Sequence, residues 1–176
     1  MAISNSKRHL LRGRISASMP FRPPWAIDEE AFINTCTRCG ECVNQCPQKV
    51  IQKGDGGFPE INFSKSGCDF CQLCVEVCPT RALQIQHDDA FNTLVTINQD
   101  CFSERGIVCR SCGEVCESRA ISFRQVVGGI THVLMDPSSC NGCGECISLC
   151  PANAITLKHQ GDNNNSFSSH KISIGR

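Results

Sequence analysis

The residues best able to do chemistry in this chain are its cysteines, 16 among 176 residues. They fall into four groups. Cys36, Cys39, Cys42 and Cys46 precede Pro47; Cys68, Cys71, Cys74 and Cys78 precede Pro79; Cys140, Cys143, Cys146 and Cys150 precede Pro151. Each of these is a CxxCxxCxxxCP run. The remaining group, Cys101, Cys109, Cys112 and Cys116, keeps the final CxxCxxxC but has seven residues, Phe102 to Val108, after its first cysteine, and Glu117 where the proline would stand. Three thiolates spaced three residues apart on a curled loop grip three corners of an iron-sulfur cube. A fourth, carried into a helix, points elsewhere, and in bacterial ferredoxin runs it ligates a neighbouring cluster. Four groups therefore predict four 4Fe-4S clusters held by all sixteen cysteines. Glycines at Gly40, Gly113 and Gly144 bring backbone amides close to the sulfurs.

Other cysteine chemistries fit poorly. Zinc sites use CxxC pairs separated by a dozen or more residues, and a disulfide framework needs an oxidising compartment. Near the N-terminus, Ser6-Lys7-Arg8-His9-Leu10-Leu11-Arg12 is somewhat like a twin-arginine export signal. The apolar segment that should follow it is broken by Gly13, Arg14, Ser16, Ser18 and Pro20, so the expectation is a cytoplasmic protein.

Clusters this numerous must be positioned by elements between the groups, and the spacing supplies them. Gaps of 21, 22 and 23 residues separate the last cysteine of one group from the first of the next, room for two short strands and a turn. Four residues after each last cysteine stand Val50, Ala82, Ala120 and Ala154, each followed by Ile or Leu, so a short apolar strand leaves every motif. Strands Glu60 to Phe63, Thr93 to Ile97 and Ile130 to Met135 lead into motifs two, three and four, with turns at Gly54 to Gly57 and Gly128-Gly129. Motif one is preceded instead by a helix over Ile27 to Asn34, with Asp28, Glu29 and Glu30 in its first turn. The fold class is thus α+β: tandem ferredoxin-like two-cluster units of short helices and β-hairpins. Division of the chain follows as a basic arm at 1–30, a first unit at 31–90, a second at 91–158 and a disordered tail at 159–176. Conventional core is scarce, since the 40% hydrophobic share includes the cysteines and there is one Trp and no Tyr. Metal must replace part of it.

Pairing of the motifs has two solutions. In the tandem scheme Cys36, Cys39 and Cys42 join Cys78; Cys68, Cys71 and Cys74 join Cys46; Cys101, Cys109 and Cys112 join Cys150; and Cys140, Cys143 and Cys146 join Cys116. The interlocked scheme pairs motif one with four and two with three. Tandem pairing is the preferred expectation, with the missing strand before motif one as its weak point.

Charge excludes further classes. A net charge of zero argues against a nucleic-acid surface. Sixteen thiolates and four oxidised cores would bring the loaded protein to roughly −8. The longest apolar stretch, Val126 to Met135, is interrupted by Gly128, Gly129 and His132 and is too short to span a membrane. His9, His87, His132, His159 and His170 show no ligand spacing. Asp88-Asp89 reads as a turn. No Ser/His/Asp arrangement, phosphate loop or dinucleotide fingerprint is visible, so no enzymatic activity is expected.

Together with Arg22-Pro23-Pro24-Trp25 ahead of the first motif, the four cysteine groups, the third in its irregular form, resemble the NapF ferredoxin-type proteins of periplasmic nitrate reductase systems. The likeness runs from Lys7 to about Lys158. It implies a cytoplasmic iron-sulfur accessory protein that contacts the nitrate reductase catalytic subunit before export and assists its maturation; the alternative is an electron-transfer module passing single electrons to a reductase. Arg22, Pro23, Pro24 and Trp25 are the candidate partner-binding residues, with Trp25 either an anchor for that partner or a cover folded back over a cluster.

Overall fold

The computed structural model describes residues 19–86, 90–91, 93–126 and 129–159. The basic residues ahead of Met19, His87, Asp88-Asp89, Gly128 and the tail beyond His159 lie outside the described residues. By contacts the chain divides into two units. The first contains residues up to Asn62 together with Gln72–Gln84, and the second Phe63–Cys71 together with everything from Ile85 onward.

In the first unit, helix α1 (Glu29–Thr35) is capped by Asp28, whose side chain accepts from the Ala31 amide at 3.0 Å, with Glu29 and Glu30 in the first turn. Because Asp28 is the cap, the helix starts two residues later than the apolar pattern suggests. Phe32 is its fully buried face. Helix α2 (Glu41–Gln45) and helix α3 (Leu73–Glu76) pack against each other and carry Cys42 and Cys74, so the third cysteine of each motif is the helical one and the fourth, expected in a helix, follows its end. Strands β1 (Ile51–Lys53) and β2 (Pro59–Ile61) form an antiparallel pair with Ile51 opposite Ile61. Their turn is tight enough to place Gly56 and Gly57 at φ +64° and +79°, which favours glycine at both.

The segment before α1 supplies what a strand would have. Ala26 and Leu83 form an antiparallel bridge, the Gln84 amide donates to the Trp25 carbonyl at 2.9 Å, and the Ile61 amide to the Phe21 carbonyl at 2.8 Å. The chain on either side of motifs one and two is thereby joined despite the helix.

The second unit does the same with full strands. β3 (Thr93–Ile97) pairs antiparallel with β6 (Ile155–His159), Ile97 opposite Ile155, and β4 (Ile121–Gln125) pairs with β5 (Thr131–Met135). Helices α4 (Ser111–Glu114) and α5 (Glu145–Ser148) carry Cys112 and Cys146. Val95, Ile121 and Ile155 form a core in which Cys112 and Cys146 are themselves members. The apolar pairs Val50-Ile51, Ala82-Leu83, Ala120-Ile121 and Ala154-Ile155 are buried in every repeat. The α+β class and the hairpins after motifs one and three are as the spacing predicts; after motif two Leu83 makes only a single bridge, to Ala26, and β3 pairs with distant β6 instead. Phe63–Cys71, assigned by sequence to the first unit, makes its contacts in the second.

Candidate metal centres

The same backbone device builds three of the four ligand loops. In motif one Arg38 and Gly40, on either side of Cys39, take φ +61° and +85°; in motif two Phe70 and Gln72 flank Cys71 at +55° and +65°; in motif four Gly142 and Gly144 flank Cys143 at +74° and +78°. Two left-handed residues around the second cysteine coil the loop on itself, so the cysteines before and after face one centre. Non-glycine residues hold this conformation at a cost of roughly 1–2 kcal/mol each, which points to a loop fixed by more than its own preferences.

Motif three lacks this pair, and Arg110 has φ −135°. Its longer loop is fastened by side chains instead. Buried Ser103 donates its hydroxyl to the Cys109 carbonyl at 2.5 Å, and Glu104 accepts from the Val133 amide of β5 at 2.7 Å and contacts His132 Nδ1 at 2.9 Å. His132, given no role by its spacing, thus braces the insertion.

After the fourth cysteine the four motifs agree. Lys49, Arg81, Arg119 and Asn153, each three residues on, have φ between +49° and +58° and donate their amides to the carbonyls of Cys46, Cys78, Cys116 and Cys150 at 3.0 to 3.3 Å. This turn sends the chain into its apolar pair, which opens a strand after motifs one, three and four and a single bridge, Leu83 to Ala26, after motif two. It forms identically where Glu117 replaces proline, so proline is not what makes it.

These backbones bring three of the four tandem sets of cysteines together. Cys36, Cys39 and Cys42 share one cavity with Cys78, alongside Phe32, Pro59 and Leu83. Cys101, Cys109 and Cys112 share another with Cys150. The Cys146 thiol feels Cys143, Cys140, Cys112 and Cys116 as its charged neighbours. Cys46 and Cys74 are buried in the first unit, while Cys68 and Cys71 lie on the segment that packs in the second.

Burial, followed by repulsion from the neighbouring cysteines, pushes the Cys42 and Cys112 thiols up to about 11 and Cys146 to about 12. Cys143 is raised by burial as well. Thiols buried like Cys42, Cys112 and Cys146 beside other cysteines become thiolates only with a compensating positive charge, which an iron-sulfur core would supply. Further donors fit that charge. The Phe70 amide donates to Cys68 Sγ at 3.4 Å and the Ala154 amide to Cys150 Sγ at 3.3 Å, and Ser118 Oγ lies 3.5 Å from Cys116 Sγ. The hydroxyl two residues after the fourth cysteine, Thr80 or Ser118, was not singled out by sequence; a small hydroxyl residue at that fixed offset was the available signal.

Arg22, Pro23, Pro24 and Trp25 lie inside the first unit. Pro23 and Pro24 are fully buried and Trp25 is 9% exposed. Arg22 makes a bidentate pair with Glu29 at 2.7 and 2.8 Å, donates to the Pro59 carbonyl at 3.2 Å and stacks on Phe32 and Phe58. The segment read as a partner-binding arm therefore packs as core, with a guanidinium holding α1 and β2 together. Among the described residues no helix is long and apolar enough to cross a membrane.

Comparison with known proteins agrees with the geometry. A 4Fe-4S dicluster domain matches twice, at residues 35–82 and 106–154. The chain is 39% identical over 160 residues to the ferredoxin-type protein NapF of Escherichia coli K12, covering 90% of this chain and 98% of the relative. It is 34% identical to the ferredoxin-type protein NapF of Haemophilus influenzae, covering 89% and 96%. A methylamine utilization ferredoxin-type protein, MauM of Methylobacillus flagellatus, is 32% identical over 168 residues, covering 85% of this chain and 72% of the relative.

Proposed function

This chain belongs to the NapF family of ferredoxin-type proteins with 4Fe-4S dicluster domains, and on that premise we propose that it carries four 4Fe-4S clusters and serves the nitrate reductase catalytic subunit in the cytoplasm, assisting its maturation. The observation that supports the cluster count is that in three sets the first cysteines of one motif converge with the fourth of its tandem partner, and the repeat extends the same pattern to the fourth set. In this reading all sixteen cysteines are ligands, the fourth set being Cys68, Cys71, Cys74 and Cys46. Bound clusters supply reversible uptake and release of single electrons. The protein's own residues bury the sulfurs, aim amides and hydroxyls at them and fix the loops that separate them. No substrate chemistry is assigned to the chain itself. Iron and acid-labile sulfide should each reach about 16 per chain, as four cubane clusters require.

Burial of Pro23, Pro24 and Trp25 favours keeping a second reading, that of a plain electron-transfer module, because those residues were the sequence feature that most suggested a docking arm. One anaerobic experiment separates the two. The reduced, reconstituted protein is mixed with mature catalytic subunit plus nitrate, and in parallel with immature subunit. Activation of the immature subunit without nitrate-dependent reoxidation by the mature one supports maturation. Rapid nitrate-dependent reoxidation, with no activation, makes the protein an electron donor and removes the maturation role.

A further inference from the structure

The segment Phe63–Cys71 is built onto the ligand loop of motif four. The Cys68 amide donates to the Cys143 carbonyl at 2.7 Å, and the preceding Gly67 amide donates to Glu145 Oε2 at 2.7 Å. Both partners belong to the second unit. The approach is close enough to require glycine on each side. A Cβ on Gly67 would stand 2.5 Å from Glu145 Oε2 and 2.7 Å from the Glu145 amide nitrogen, and a Cβ on Gly144 would stand 2.1 Å from the Phe63 ring. Phe63 and Phe70 both meet the edge of Phe91, at 6.0 Å between centroids, which backs the segment with aromatic packing. Glu41 occupies in motif one the place of Glu145 in motif four, directly before the third cysteine, and is exposed. The acid is shared, and the clamp belongs to motif four.

We propose that this junction is where single electrons cross between motif two and motif four, and that Glu145 is the positioning residue that holds it shut. The path runs from Cys68 Sγ through Cβ, Cα and the amide N–H, across one hydrogen bond, to the Cys143 carbonyl and on through Cα and Cβ to its Sγ. Tunnelling falls off far less steeply along covalent and hydrogen bonds than across a van der Waals gap, so losing this one contact removes the bonded route. One electron leaves the cluster on one loop and enters that on the other, with no proton or bond exchanged. The inference rests on the reading above that both motifs hold clusters.

The test is intramolecular electron equilibration in the fully loaded chain after rapid substoichiometric reduction, compared in Glu145→Gln, Glu145→Ala and Gly67→Ala, with iron content and potentials measured alongside. Gln keeps an acceptor for the Gly67 amide and should keep the rate. Ala at 145 removes that acceptor, and Ala at 67 pries the loops apart, so each should slow equilibration severalfold. Full iron content with unchanged rates in both alanine variants overturns the inference; absent iron in the unmodified chain overturns the cluster reading instead. If the alanine variants fail to load, hydrogen exchange at the Cys68 amide of the unmodified chain decides. Protection is expected, and exchange at the rate of a free loop amide sinks the proposal.

Discussion

Thr93 has its hydroxyl buried in the second unit, 6% exposed, with no hydrogen-bond partner among the described residues, and its Oγ1 would stand 2.9 Å from a Cβ on Gly142 of the motif-four loop. A buried hydroxyl without a partner costs what its desolvation cost, so the isosteric Thr93→Val should stabilise the loaded protein by about 1 kcal/mol. Anaerobic denaturant titration measures this. A loss of stability with a lowered cluster potential would show that the hydroxyl donates into the ligand loop. Asp136 makes the opposite case. Hydrogen bonds from Ser138 and Ser139, at 2.7 to 3.0 Å, hold its carboxyl below the usual range. A depressed acid contributes stability above its unfolded-state value and loses it as pH falls through the folded one. Asp136→Asn should therefore lower the melting midpoint at neutral pH, with the gap to the unmodified chain closing under acid. A gap independent of pH would mean that the side chain acts by shape alone. At this scale the grouping of the cysteines was legible, since spacing alone predicts the three sets that lie together, whereas the place of Trp25 was not. Its carbonyl accepts from the Gln84 amide, nearly sixty residues away, a pairing that no local pattern announces.

Among the elements, the turn after each fourth cysteine is the repeated part. Lys49, Arg81, Arg119 and Asn153 all hold it left-handed, and Arg119 does so exposed, without proline upstream. A β-branched side chain is the least tolerated there, so Arg119→Ile should cost about 1–2 kcal/mol and Arg119→Gly should be close to neutral. Equal effects of the two substitutions, read from unfolding midpoints, would mean that the arginine side chain and not the backbone matters. The strands on either side were readable. Thr93 to Ile97 is found as predicted and Ile130 to Met135 within one residue, since β-branched runs and an apolar pair after the ligands leave little choice. The destination of Phe63–Cys71 was not readable. It follows from glycine-tight contacts with Glu145 and from Phe91, and neither a period nor a spacing encodes which distant surface a short loop will meet.

At the scale of the whole molecule the question is what remains if the metal is removed. The core of the second unit is assembled from Val95, Ile121 and Ile155 with Cys112 and Cys146 among them, and the largest fully buried side chains among the described residues are Phe32, Val50, Pro23, Pro24 and Ser103. The hairpins are short, with three residues per strand in the first unit and five in the second, and two-stranded pairs are at best marginal alone in water. Metal-free, the cavities would gather sulfurs whose thiolates repel one another and whose thiols have no cross-link. Binding energy of the clusters is then folding energy, as in other small metal-organised domains. Removal of iron by chelation under reducing, anaerobic conditions should abolish the native circular dichroism and leave no cooperative melt. Retention of both would locate the stability in the apolar pairs after each motif, and the clusters would be passengers in a fold that stands without them.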